Sequence, residues 1–260
     1  MTGPGQPIAP VIGAILRDAR RHARIPLRDA ATRLGSPVED VEHIECGHRS
    51  VTGGDLRRLC ELYGVPEQAR ALHRLAGGPL EGAPGGERGL CRTTDRAGGF
   101  ADRMAAVARQ SVRTRWLSTQ LVPPPLRIPA YAAAVRHPAP ARPWPGLRRQ
   151  DIVVLDEGVV RHGGATAALM CEQVRHLLTL QSAGARIHVV PRLFPPGSYA
   201  ELMLPNATVV ATGGFTDAVY QTTTALAGPI ERALTDPDRD RSRRLLTEAY
   251  AHHRSHREAR

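Results

Sequence analysis

The residue types between Val38 and Gly53 are those of a recognition surface. Val38, Glu39, Asp40, Glu42 and His43 fall on the outer side of a short helical stretch, with Glu45 one turn on. Arg49, Ser50 and the amide of Gly53 follow, and Arg28 precedes them. An arginine, a hydroxyl or a backbone amide donates to phosphate oxygens. A carboxylate accepts, for instance from the N4 amino group of cytosine. Duplex DNA is a dense line of negative charge, and its binders gain affinity by displacing counterions with basic side chains. One carboxylate on a reading helix therefore reads as base specificity, whereas three or four oppose the phosphate field.

The elements that must hold this surface are legible in Leu27 to Gly47, which has the spacing of a helix-turn-helix. Ala31 is small enough for the crossing of two helices, Gly35 supplies the tight turn, and Val41 and Ile44 face inward from the second helix. Ser36-Pro37-Val38-Glu39 predicts a helix start, with Ser36 as cap, Pro37 in the first turn and Glu39 closing a capping box. Before the motif, Ile12, Ile15, Leu16, Ala19 and Ala23 recur at helical spacing. After it, Thr52 and Asp55 predict a second capping box, opening a helix with Leu56, Leu59, Cys60 and Tyr63 inside. Glu67 to Ala76 reads as a fifth helix.

The chain of 260 residues has room for one small and one medium domain. It contains no lysine: all 35 basic residues are arginine. With the Ala, Gly and Pro content, this points to a GC-rich coding sequence and lowers the weight of any single arginine. The net charge of +10 is uneven. Residues 1–78 hold 11 Arg against 9 acids, residues 79–150 hold 12 against 4, and residues 151–260 hold 12 against 12. The excess lies in the middle, where it serves either an acidic partner such as nucleic acid or only a solvated connector. No run reaches the roughly 18–20 apolar residues of a membrane span. The first residues lack the pattern of a signal peptide, and Cys46, Cys60, Cys91 and Cys171 form no CxxC pair. These features predict a cytoplasmic protein with no metal and no cofactor.

Four segments follow from the pattern: a helix-turn-helix domain over 1–76, a Gly/Pro-rich linker over 77–99, a helical and proline-rich connector over 100–150, and an α/β domain over 151–260. The fold class is α followed by α/β. Residues 77–99 read as unable to sustain helix or strand, and Phe100 to about Leu117 as a helix. Ile152–Leu155, Ile187–Val190, Thr208–Ala211 and Ala218–Tyr220 read as strands, and Ala165–Ser182 and Asp238 to His253 as helices. Parallel pairing is expected around the first of these helices. Asp156-Glu157 with His162 could form an acid/base pair, although a solvated turn is their commoner role. Gly163-Gly164 could bind an anion at a helix start. His188 in a strand and Tyr199 in the following loop could line a pocket. GxGxxG, P-loop and GxSxG motifs are absent, and no reaction is named.

Ala31, Leu34, Gly35, Val41, Ile44, Glu45, Gly47, Asp55, Leu56 and Tyr63-Gly64-Val65 resemble the pattern of Xre-type helix-turn-helix regulators. Val122-Pro123, Leu126, Pro129, Tyr131 and Ala132 are similar to a segment of a domain of unknown function that follows such a motif in filamentous high-GC bacteria. Arg149-Gln150, Asp156-Glu157, Met170 to Gln173, Val189-Val190-Pro191 and Gly197 match its later landmarks. The resemblance implies a dimeric transcription factor, antitoxin-like in some members. The chain departs from the pattern at Pro124-Pro125, Arg127-Ile128 and Leu27, and in its acidic reading helix.

Two functions follow as expectations. In the first, a homodimeric regulator binds double-stranded DNA, and its C-terminal domain binds a small partner protein or ligand. Val38, Glu39, Glu42 and His43 then lie nearest base edges. Arg28, Arg49, Ser50 and Gly53 hold phosphates, supplemented by Arg20, Arg21 and Arg24. In the second, the helix-turn-helix does not bind DNA, and the C-terminal domain serves a biosynthetic pathway as an enzyme, an RNA-binding module or a protein-binding module.

Overall fold

Two short helices can meet closely only where their side chains are small, and Ala30 and Ala31, both buried, provide that place. The computed structural model describes residues 8–77, 91–136, 138–191, 198–213, 217–223 and 239–258. Gly197, Asp238 and residues 78–90 of the predicted linker lie outside the described residues. The strands form a mixed seven-stranded sheet in the order β1-β7-β6-β5-β2-β3-β4. The chain divides into two compact units: Met1–Val112 with Pro140–Pro143 and Leu202–Ala225, and Arg113–Ala139 with Trp144–Glu201 and Leu226–Arg260.

The first unit opens with α1 (Ala9–His22), α2 (Leu27–Leu34), α3 (Val38–Glu45), α4 (Gly53–Leu62) and α5 (Gln68–Gly77). Gly35 ends α2 in the left-handed region at φ 67°, a conformation that costs glycine little. Thr52 caps α4: its hydroxyl oxygen accepts from the Asp55 amide at 3.2 Å, and the hydroxyl donates to the Asp55 carboxylate at 2.8 Å. The Ser36 cap is not formed. Pro37 occupies the N-cap of α3, which leaves Ser36 one residue too early, its Oγ buried and without a hydrogen-bond partner.

β1 (Cys91–Asp95) and α6 (Phe100–Gln110) follow. β1 corrects the expectation that residues 77–99 hold no strand. Its pairing is long-range, antiparallel to β7 (Ala218–Thr223), which itself pairs antiparallel with β6 (Ala207–Gly213). The Arg103 guanidinium, 1% exposed, binds Asp95 through Nε at 2.6 Å and Nη2 at 2.9 Å. It also donates to Gln68 and to the carbonyls of Ala97 and Gly98. One buried cation thus ties α5, β1 and α6 together, with its charge compensated. Asp18 of α1 does the same in mirror image, accepting two bonds from Arg109 at 3.0 Å, one from Gln110 at 3.1 Å, and one from Arg142.

α6 stops at Gln110 rather than near Leu117. Val112 is already extended, its amide donating to the Met203 carbonyl at 2.7 Å, and Val112 to Leu117 is a β-branched and aromatic run that suits a strand. β2 (Arg113–Ser118) opens the second unit, pairing parallel to β3 (Ile152–Asp156), which pairs parallel to β4 (Arg186–Val190). The long helix α9 (Ala167–Ser182) connects β3 to β4, as the strand–helix–strand order predicts. β5 (Tyr199–Leu204) begins where a loop was expected. A short α7 (Pro129–Ala134) is pinned from below: Tyr131 donates to the Gly163 carbonyl at 2.5 Å and accepts from the Val122 amide at 3.2 Å. Gln173 accepts from the Ile128 amide and donates to the Leu126 carbonyl, so one buried amide holds both sides of the proline-rich turn. α8 (Glu157–His162) follows β3, and α10 (Arg239–Glu258) covers α9 and β4. No helix among the described residues is long and apolar enough to cross a membrane.

Candidate nucleic-acid interface

α3 is amphipathic, and its periodicity decides which acids face outward. Val41, Ile44 and Glu45 are buried, at i, i+3 and i+4, while Val38, Glu39, Glu42 and His43 are exposed. The four residues expected nearest base edges therefore share one solvent face. Arg28, Arg49, Ser50 and Gly53 are exposed as well, on α2, in the α3–α4 loop and at the first position of α4. The amides of the first turn of α4 carry the partial positive charge of a helix start. The His73 ring lies against Gly53, filling the space that a Cβ there would take.

Glu45 does not belong to the outer acidic row. It is 3% exposed, and its carboxylate takes a two-pronged contact from Arg20, Nε to Oε1 at 2.7 Å and Nη2 to Oε2 at 2.8 Å. Tyr63 Oη donates to Oε1 at 3.3 Å, and Arg17 stands 3.8 Å away. The hydrogen bond to Glu45 pushes the Arg20 pKa further up, and burial pushes the Tyr63 phenol up. Arg20 is thereby spent inside the fold. Arg21 donates to Gln110 at 3.0 Å, while Arg24 is exposed just past the end of α1.

Asp40 is half-buried and pairs with Arg49 at 2.5 Å. Arg28 lies 3.5 Å from Asp29, with its side chain 82% exposed. Two carboxylates of the α3 face, Glu39 and Glu42, make no ion pair among the described residues. His43 meets His48 edge-on, with ring centroids 6.0 Å apart. The seat of α3 is close: a Cβ on Gly13 of α1 would collide with the backbone carbonyls of Ile44 and Glu45. The Asn206 side chain, in the β5–β6 turn, donates to the Cys46 carbonyl just past the helix end.

The other candidate chemistry takes ordinary roles. Asp156 caps α8, accepting from the Gly158 amide at 2.7 Å, and Glu157 pairs with Arg161 at 2.5 Å. Gly163 ends α8, and Thr166, not the Gly163-Gly164 pair, caps α9 by accepting from the Leu169 amide. His188 is buried in β4 with both ring nitrogens unbonded. Burial, then Arg186 and Arg239, lowers its pKa. Among the described residues no three His, Cys, Asp or Glu side chains are grouped to hold a metal.

Residues 11–72 match a family described as a helix-turn-helix domain. No curated protein and no solved structure matches the chain. The matched segment runs from α1 into α5, so it includes Arg28 and every residue from Val38 to Gly53. A helix-turn-helix of this kind points to a DNA-binding regulator.

Proposed function

We propose that the chain is a homodimeric transcriptional regulator of the Xre type, antitoxin-like, whose C-terminal α/β part binds a small partner protein or ligand. α3 enters the major groove with Val38, Glu39, Glu42 and His43 at base edges, while Arg28, Arg49, Ser50 and the Gly53 amide hold phosphates on either side. The observation that carries this reading is the bookkeeping of acids on α3. Glu45 is buried under Arg20 and Asp40 is engaged by Arg49, which leaves Glu39 and Glu42 to face DNA. Two carboxylates are compatible with readout at cytosine N4, where a row of four would not be.

Titration of fluorescent duplex from the gene's own upstream region, across a salt series, tests it. Glu42→Gln removes a charge from the phosphate field and strengthens non-specific binding. Arg49→Ala weakens binding to every sequence and flattens the logarithmic salt slope by about one. No binding at low salt, or affinity and slope unchanged in both variants, overturns the proposal.

A further inference from the structure

The first unit contains a cleft of about 190 Å³ bounded by α1, the α4–α5 segment and α6. Its floor is apolar: Ile15, Leu16 and Ala19 of α1, Val65 of the α4–α5 turn, Leu72 of α5 and Ala106 of α6. Roughly 150 Å³ of apolar cavity is enough for a benzene-sized molecule, so the space suits a single ring with a short arm.

The charges at the mouth are unequal in availability. Arg103 spends its guanidinium on Asp95, Gln68 and two carbonyls, and Arg142 binds Asp18. Asp102 uses one oxygen, Oδ1, to accept from the Ala141 amide at 2.7 Å. Glu67 is exposed and makes no hydrogen bond or ion pair among the described residues. Arg103 is thus neutralised, and Arg142 shares Asp18 with Arg109, which leaves one surplus positive charge against the two rim carboxylates Glu67 and Asp102. Burial, then the charge of Glu67, pushes the Cys60 thiol up to about 12, so the cleft wall carries a neutral thiol beside that carboxylate.

We infer that this cleft is a binding site for a small apolar amine, its ring or short chain on the floor and its ammonium between Glu67 and Asp102. An apolar floor under a net negative rim selects a cation over an anion by Coulomb attraction, and over a neutral analogue by charge-assisted hydrogen bonds. The inference stands apart from DNA binding. Even so, α1 carries both the cleft wall and the Arg20 that holds α3 through Glu45.

Calorimetric titration of the full chain with benzylamine, benzyl alcohol and benzoate, each to millimolar concentration, tests it. Benzylamine binds saturably and more tightly than the alcohol, and benzoate does not bind. Glu67→Gln reduces the preference for amine over alcohol by about three- to five-fold, the range of an exposed ion pair. Ala141→Trp, at an exposed position on the mouth, abolishes binding while leaving the thermal unfolding midpoint near that of the parent chain. Absence of saturable benzylamine binding overturns the inference. Equal affinity for amine and alcohol, or binding that survives Ala141→Trp, overturns it as well.

Discussion

The Arg20 guanidinium grips the Glu45 carboxylate with two parallel hydrogen bonds, Nε to Oε1 at 2.7 Å and Nη2 to Oε2 at 2.8 Å, across the seat between α1 and α3. The pair is almost closed to water, with the Glu45 side chain 1% exposed. Removal of one partner strands the other charge in a place with little solvent, and such losses run to about 3–5 kcal/mol. Glu45→Ala is therefore expected to lower unfolding free energy by about that amount in a urea titration. Arg20→Ala loses a similar amount, and the double variant loses far less than their sum. Additive losses would show that the two side chains do not act as a pair.

That contact joins residues too far apart in the chain for local pattern to reveal it. Ala31, Gly35, Val41, Ile44 and Thr52 were legible because their roles depend on neighbours within a turn or two. Glu45 read as part of an outer acidic row, although its spacing from Val41 already placed it on the inner face. What hides it is an arginine 25 positions away. β1 is hidden for the same reason, its partner lying in a distant strand; β2 is masked instead by the helical spacing of Phe100 to Val112, which runs on into residues whose own types favour a strand. The face of Val38, Glu39, Glu42 and His43 could be read because helical periodicity alone defines it.

Asp40 and Arg49 compete for roles on the proposed DNA face, since the arginine that would reach a phosphate is engaged at 2.5 Å by a carboxylate. Asp40→Asn frees it. Affinity for duplex of any sequence should rise, because Arg49 no longer leaves a carboxylate to reach its phosphate and one negative charge is gone from the face, while the unit of salt slope that Arg49 already contributes stays in place. Fluorescence anisotropy at several salt concentrations reads both. An affinity unchanged by Asp40→Asn would remove Arg49 from the phosphate contacts.

Gly13 is a packing requirement rather than a flexible point. A methyl group there meets the carbonyls of Ile44 and Glu45, and backbone cannot swing aside as a side chain would. Gly13→Ala should cost about 1–3 kcal/mol through overpacking, outweighing the gain in helix propensity. A melting midpoint equal to or above that of the parent chain would contradict so close an approach of α1 to α3.

His188 makes stability depend on pH. Its pKa is lowered in the folded chain by burial and by Arg186 and Arg239, so the unfolded chain takes up the proton first. The stability it contributes is complete above the ordinary histidine value of about 6.5 and declines as pH falls towards the lower folded value, by at most about 1.4 kcal/mol per pH unit. His188→Phe should flatten this part of the curve in chemical denaturation at pH 5 to 7. A curve of unchanged slope would show that the ring is protonated with no penalty inside the fold.

The first unit is assembled from three separated stretches, Met1–Val112, Pro140–Pro143 and Leu202–Ala225. A ribosome delivers them in that order. At roughly 5–20 residues per second, β7, the strand that pairs with β1, emerges several seconds after the helix-turn-helix has been made. During that interval β1 has no β7 beside it, and α3 lacks the Asn206 contact at its carboxyl end. A chain cut short between Val112 and Leu202 would thus carry a complete matched helix-turn-helix segment on an unfinished support. α3 comes off the ribosome early and finds its seat on α1 at once, but the contact at its carboxyl end is made late.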